Sequence, residues 1–336
     1  MAQRLRIVTA LAACLLLPFS LRACETCGCS AAGGNAGLLP GWGGHYLSLS
    51  YRLDRFDNGL QSLELDAPQV QSYDRLGALS LTGAWQPAPR WHLLGGVPLR
   101  LQKRVQGTET LPRTGMGDSW VLARYALWHP ALRRPSGEAE PIPSTAPMDP
   151  VLGTKLRLLS VGLGLEAPTG AFRPEDDNWG LPVNNQLGSG SWDVLAELLL
   201  RLPLTGNHGL QVDLRGRYNG WNQADYRFGS QASAAVTWRW AWRAEGPWYG
   251  GIAAGAAGDF LGLDANGDYY RTDTGGKALL AVGGAQIGRG AWSLGVQYRQ
   301  PIAQSYAGGS IRMQQSIDAG LTWVFSGRPQ PSKLPS

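Results

Sequence analysis

The chain has 336 residues, of which 43% are hydrophobic and only 16% charged, against a charged share of about 25% in ordinary soluble domains. The missing charge is replaced by 46 Gly and 14 Trp, a composition too aromatic for disorder and too rich in glycine for helices. Beyond the N-terminus no stretch approaches the roughly 18 consecutive apolar residues of a spanning helix, which leaves an all-β protein, secreted or embedded in an outer membrane.

In chain order, Arg4 and Arg6 precede an apolar run from Ile7 to Phe19, and Ala23 stands at a plausible cleavage position. Residues 1–23 are therefore predicted to be a signal peptide, and the chain to be exported. Removing Arg4, Arg6 and Arg22 leaves 27 basic residues against 25 acidic ones. No basic cluster remains, so no nucleic-acid partner is expected.

Residues 24–44 form a Cys- and Gly-rich arm, with Cys24, Cys27 and Cys29 in the spacing C-x-x-C-x-C. Three chemistries are open to these thiols. Leu21-Arg22-Ala23-Cys24 is similar to a lipobox, which would lipidate Cys24, although Arg22 suits that processing poorly. Clustered thiolates hold soft metals, Cu(I) or Zn(II), with His45 or a partner supplying the fourth ligand of a closed zinc site. An oxidising periplasm would instead join Cys24 to Cys27 or Cys29. Nothing else in the chain calls for a cofactor. The arm's 21 residues could reach roughly 70 Å at about 3.3 Å each, enough to fold back into a barrel as a plug or to lie in the periplasm.

From His45 onward apolar and polar residues alternate with period two, the pattern of a strand with two different faces. Leu47, Leu49, Tyr51 and Leu53 oppose Tyr46, Ser48, Ser50 and Arg52. Twelve such segments are predicted, at 45–55, 73–86, 91–104, 119–129, 155–166, 191–203, 209–221, 226–240, 248–261, 277–287, 291–300 and 310–325. The tenth is so rich in Gly and Ala that its inward face cannot be assigned. In the last, Ile311 and Met313 read as one face with Ile317, Leu321 and Trp323, and Arg312 as the other with Ser316 and Asp318. The lengths suit the 9–11 residues of a tilted membrane-crossing strand, and an even count suits closure. The expected fold is an antiparallel transmembrane β-barrel over residues 45–325, with a disordered tail at 326–336.

Connections alternate long and short, as for outer loops and periplasmic turns. One exception, 130–154, carries six prolines and is expected to be a disordered periplasmic insertion. Trp85, Trp91, Trp128, Trp238, Trp240, Trp242, Trp248, Trp292 and Trp323 fall at strand ends assigned to the periplasmic side, and Trp120, Trp192 and Trp221 to the outer side. Amphipathic indoles favour such interfaces. A charge facing lipid at midplane costs about 2–4 kcal/mol, so strand charges are assigned to the lumen. These are Arg52, Arg100, Arg124, Arg201, Arg215, Arg217, Arg227, Arg239, Arg299 and Arg312, with Asp54, Glu166, Asp193, Glu197, Asp213, Asp259 and Asp318. They could pair as a ladder that fills the barrel, or leave a mildly cationic path for anionic or aromatic solutes.

Three pieces carry a family likeness: Gly115-Met116-Gly117-Asp118 leading to Ala123-Arg124-Tyr125, then Glu166-Ala167-Pro168-Thr169-Gly170, then Gly188-Ser189-Gly190-Ser191-Trp192-Asp193. In that order they resemble a broad family of proteobacterial outer-membrane barrels, labelled transporters or "MetA-pathway of phenol degradation" proteins. The N-terminal C-x-x-C-G-C-S with Gln300-Pro301-Ile302-Ala303-Gln304-Ser305-Tyr306-Ala307-Gly308-Gly309 resembles a subgroup of them. The resemblance implies passive or facilitated uptake of small, often hydrophobic or aromatic molecules.

The expected function is thus a channel or transporter for small solutes in the outer membrane of a Gram-negative bacterium. A closed structural or metal-handling barrel using the cysteine cluster is the alternative. Expected partners are membrane lipid, lipopolysaccharide, the barrel-assembly machinery, which would read the terminal aromatic of β-barrels, and a solute. An enzyme is not expected. His45, His92, His129 and His208 fall near one rim, while the loop acids Glu175, Asp176, Asp177, Asp264 and Asp268 fall at the other without a base beside them.

Overall fold

Alternation sustained over eleven residues or more leaves each strand with one apolar and one polar face, and only a closed sheet can present the first to lipid while hiding the second. The computed structural model, which describes residues 44–58, 72–106, 109–133, 139–141, 154, 157–172 and 186–325, adopts that solution. The expected signal peptide, the arm's Cys24, Cys27 and Cys29, Glu175 to Asp177, most of the proline-rich insertion and the tail lie outside the described residues.

Twelve long strands form the wall. They are β1 (His45–Asn58), β2 (Ser72–Ala88), β3 (Trp91–Gln106), β4 (Ser119–Arg133), β5 (Arg157–Ala167), β6 (Asp193–Pro203), β7 (His208–Tyr218), β8 (Gln231–Arg243), β9 (Trp248–Leu261), β10 (Gly276–Arg289), β11 (Trp292–Tyr306) and β12 (Ile311–Phe325). Each pairs antiparallel with its sequence neighbours. The β1–β12 pairing, from His45 opposite Phe325 to Asn58 opposite Ile311, closes the barrel. Among the described residues, every one of the twelve wall strands is thus paired on both sides. The rim holding His45 and Phe325 is called here the terminal rim, and the other the loop rim.

Short connections lie at the terminal rim. Gly290, at φ +56°, makes the β10–β11 turn in a backbone conformation that L side chains rarely adopt. Two elements differ from expectation. The β3–β4 connection carries a strand, Glu109–Met116, that extends the wall beyond the loop rim. At the other end, Ala139–Pro141 inside the proline-rich insertion pairs with residues 131–133, so this part of it continues the sheet.

The outward face is apolar: Leu49, Leu81, Val121, Leu163, Leu294 and Leu321 are all exposed, Leu163 by 68%. An exposed belt of this extent is the signature of a surface covered by lipid. At the terminal rim Trp85, Trp91, Trp128, Trp238, Trp248, Trp292 and Trp323 face outward. Trp292 stacks on Trp323 with centroids 5.9 Å apart, and Arg157 and Arg289 lie over Trp128 and Trp248. Trp192, Trp221, Tyr218, Tyr269 and Tyr270 mark the loop rim. Trp120 departs from the expected girdle. It shares the inward face, and a Cβ on Gly96 would meet its indole at 2.7 Å.

Two adjacent irregularities change the expected faces. Gln314 is an extra residue in β12, where Arg55 pairs with Gln315 but Phe56 with Met313. Ile302 is extra in β11, where Leu279 pairs with Ala303 but Leu280 with Pro301. A one-residue bulge reverses which side chains face inward beyond it. Ile311 and Met313 are therefore buried inside, and Arg312, expected to line the lumen, is exposed on the outer surface. The tenth segment proves to have its even-numbered residues inward, with Ala278, Leu280 and Val282 buried.

Candidate functional site: the barrel lumen

The inward faces of β2 to β8 carry a network of charges. Arg124 on β4 donates to Glu197 on β6 at 2.7, 2.9 and 3.2 Å, with both side chains less than one-tenth exposed. The pair crosses over β5 because Gly162 lies between them in register, where a Cβ would meet Arg124 Cγ at 3.2 Å and Leu122 Cδ2 at 2.9 Å. Arg215 reaches the same carboxylate at 3.6 Å and Asp213 at 3.9 Å. Gln211 donates to Asp213 at 2.7 Å and accepts from Arg239 at 3.0 Å. Toward the loop rim Arg217 donates to Glu166 at 2.8 Å, and Arg104 holds Asp74 through two bonds of 2.9 Å.

A second group lies on β1, β9, β11 and β12. Arg52 meets Asp318 at 3.5 Å, and Asp54, Asp259 and Arg299 are buried on the same inward faces. Arg100 lies in register with Ala78 and Gly115 on the inward face of β3. Asp193 accepts from Ser191 Oγ at 2.7 Å and from the Gly220 amide at 3.1 Å. His45 stands at the terminal rim, where its Nδ1 accepts from the Gln86 amide at 3.1 Å and its ring stacks on Phe325. Among the described residues no three His, Cys, Asp or Glu side chains converge as a metal-holding group.

Between these groups the wall changes character. Six strands around the barrel from β3 and β4, the inward positions in the middle of β9 and β10 are Gly251, Ala253, Gly255, Ala257, Ala278, Leu280, Val282 and Gly284, with Tyr249 and Gln286 toward the terminal rim and Asp259 and Leu261 toward the loop rim. Toward the loop rim this small-residue wall ends in an apolar cluster that adds Tyr306, Ile311, Met313 and the partly buried Phe56. The two bulges create that cluster. Where backbone pairing between β11 and β12 lapses, the Gln304 side chain substitutes for a strand, donating to Met313 O at 2.9 Å and accepting from its amide at 2.7 Å. The chain then turns through Ala307, Gly308 and Gly309, all at positive φ.

The three motifs that carried the family likeness meet at the loop rim. The buried Asp118 carboxylate accepts from the amides of Gly170, at 2.8 Å, and Ser189, at 2.5 Å. Gly170 and Gly188 touch closely enough that a Cβ on the first would meet the second's Cα at 2.7 Å. Asn222 donates to Ser189 O at 3.0 Å and so joins this clasp to a second, in which Asp264 accepts from the Gly229 amide at 2.7 Å and from the Tyr226 hydroxyl. Four loops are thereby tied around the mouth. Spacing alone did not show that such distant aspartates clasp neighbouring loops. Arg227, expected to face the lumen, sits among Tyr218, Trp221 and Tyr270 at this rim.

No family model matches the chain, and no curated protein matches it. Among solved structures it is similar to an outer membrane channel from Pseudomonas putida F1, with a TM-score of 0.58 and 13% identity over 92% of this chain and 100% of that one. The β domain of the Bordetella autotransporter BrkA follows at 0.49 and 11%, covering 84% and 100%, and a Pseudomonas aeruginosa FadL homologue at 0.40 and 12%, covering 92% and 100%. At such identities the likeness is one of fold. A closed twelve-stranded barrel with an apolar outer belt, aromatic rims and a polar interior is a protein of the Gram-negative outer membrane.

Proposed function

We propose that the chain is an outer-membrane channel that passes small solutes along the Gly- and Ala-lined wall of its lumen. The observation that carries this reading is the asymmetry of the interior. Arginine–carboxylate pairs cross one side, while the middle of β9 and β10, from Gly251 to Ala257 and from Leu280 to Gly284, presents inward nothing larger than alanine, valine or a single leucine. Interior side chains set the width of a small barrel, and this stretch of wall contributes the smallest of them. The route so formed has an apolar side and a cationic side, which suits small aromatic or amphiphilic molecules, since guanidinium groups both pair with anions and stack on π-faces. The channel from Pseudomonas putida F1, similar in fold, supports the reading. We take the terminal rim as periplasmic, following the predicted signal peptide.

Planar-bilayer recording of the full chain tests the proposal. Discrete conductance steps are expected, and replacing Ala257 by Trp should reduce their amplitude at least threefold by adding an indole to the small-residue wall. A chain that inserts but never conducts would instead mark a closed-lumen barrel.

A further inference from the structure

In one sector of the loop rim the outward face of the wall turns from apolar to basic. Going up β1, β2 and β3 from the middle of the wall, Tyr51, Leu79 and Leu99 give way to Leu53, Gly77 and Leu101, and these to Arg55, Arg75 and Lys103. The three cations stand in one register row, Arg55 opposite Arg75 and Arg75 opposite Lys103, and all are exposed. Strand spacing puts neighbours in the row about 5 Å apart and its ends about 10 Å apart. The bulge at Gln314 adds a fourth: Arg312, which it turns outward, is in register with Asp57, two residues beyond Arg55.

Carboxylates on this face do not match that charge. Among the described side chains of β12, β1, β2 and β3, Asp57 is the one acid that faces outward here. Asp54 and Asp74, the nearest strand acids, face inward at 6% and 1% exposure, and Arg104 holds Asp74 there at 2.9 Å. Among the described residues Arg55, Arg75, Lys103 and Arg312 make no salt bridge. Arg75 lies over the Tyr73 ring at 5.3 Å, a contact that leaves the N–H edge of its guanidinium open. Like charges directly opposite each other destabilise a sheet, and this row sets three side by side.

The arrangement belongs to this sector alone. From β4 to β9 the outward residues near the same rim are uncharged: Val121, Leu165, Val194, Tyr218, Ala232 and Phe260, all exposed. At the terminal rim the outward Arg157 and Arg289 each lie over an indole, Trp128 and Trp248. The row stands directly above an apolar surface, so what it meets is the boundary between acyl chains and headgroups. With the terminal rim periplasmic, that boundary belongs to the outer leaflet, whose glycolipid carries phosphate on its sugar headgroup. Guanidinium groups take phosphate through paired N–H bonds, and a lysine adds a point charge. Clustered basic residues at a membrane boundary recruit anionic headgroups in the same way.

We propose that Arg55, Arg75 and Lys103, with Arg312 at their flank, form a docking site for a phosphate of lipid A, the membrane-embedded part of lipopolysaccharide, whose acyl chains lie down the outward faces of β1 to β3. The headgroup phosphate supplies the counter-charge that the protein does not. The site goes beyond solute passage and rests only on the orientation taken for the channel: it holds one sector of the barrel against a particular lipid and leaves the lumen untouched.

The test uses the full chain folded in detergent, with bisphosphorylated lipid A as the probe and its dephosphorylated form as the counterpart, read by native mass spectrometry and by thermal unfolding. The phosphorylated lipid is expected to bind and raise the unfolding temperature, and the dephosphorylated form to bind at least tenfold more weakly. The triple variant Arg55→Gln, Arg75→Gln, Lys103→Gln should lose at least tenfold in affinity for the phosphorylated lipid. Arg75→Gln alone should lose about threefold, which keeps the test open if the triple variant folds poorly. The double variant Arg157→Gln, Arg289→Gln, which removes charge at the terminal rim, should bind as the wild type does. EDTA should not release the lipid, because the row needs no bridging metal. Equal affinity in wild type and triple variant overturns the proposal, as does a wild type that binds no lipid A. An equal loss in the terminal-rim variant would do so as well, because it would make the effect one of net charge. Displacement by inorganic phosphate, or release by EDTA, would likewise assign the binding elsewhere. The bilayer recordings test the channel without involving this outer row, so either idea can fail without the other.

Discussion

Replacing Glu197 by Gln keeps its shape and removes the charge that faces two arginines. The carboxylate takes three contacts of 2.7 to 3.2 Å from Arg124 and lies 3.6 Å from Arg215. At about 3 Å and an effective dielectric near 20, a unit charge pair is worth about 5 kcal/mol, against about 1 kcal/mol in water. With both side chains nearly buried, the change falls in the class of broken buried pairs, which cost about 3–5 kcal/mol, not that of surface pairs at about 0–1 kcal/mol. Urea unfolding of the detergent-folded chain should show a lower midpoint at unchanged slope. Replacing both Arg124 and Glu197 by Met should recover most of the loss, because the two desolvated charges leave together. A Glu197→Gln variant within about 1 kcal/mol of wild type would refute the reasoning and show the lumen to be hydrated enough to screen the pair.

Deleting Gln314 removes the β12 bulge, so Ile311 and Met313 would turn toward lipid and Arg312 inward. Emptying the apolar cluster in this way should cost about 2–5 kcal/mol in the same titration, and an unchanged midpoint would count against the bulge's role. Asp118→Asn weakens a clasp that accepts two backbone amides, at a cost of about 1–3 kcal/mol local to the loops. Added protease should then cut the 168–192 connection faster in proteoliposomes while the strands stay protected; equal cutting rates would argue against the clasp. Brominated acyl chains should quench most of the tryptophan emission, because seven indoles of the terminal rim face outward; weak quenching would contradict the membrane placement.

The strands and their inward faces were legible because a two-residue period and the cost of charge in lipid act on every position independently. Arg52, Arg124, Glu197 and Asp318 could be assigned inward on that ground alone. The reading failed at Arg312, where one inserted residue reverses the parity and leaves no mark in the composition. It failed at Trp120 as well, because an indole at a strand end looks the same whether it faces lipid or lies over Gly96 inside the barrel. The glycine motifs were visible as strings, but not their meeting on Asp118, which depends on loops far apart in the chain. Arg201 was read as one more luminal charge. That its Nε and Nη2 meet no hydrogen-bond partner among the described residues becomes visible only in the structure.

The account rests most directly on solute passage. Proteoliposomes carrying the full chain should take up small solutes in a swelling assay faster than vesicles carrying heat-denatured protein, with rates that fall as solute size grows and fall again in Ala257→Trp. Correctly folded, membrane-inserted protein that admits no solute of any size would contradict it.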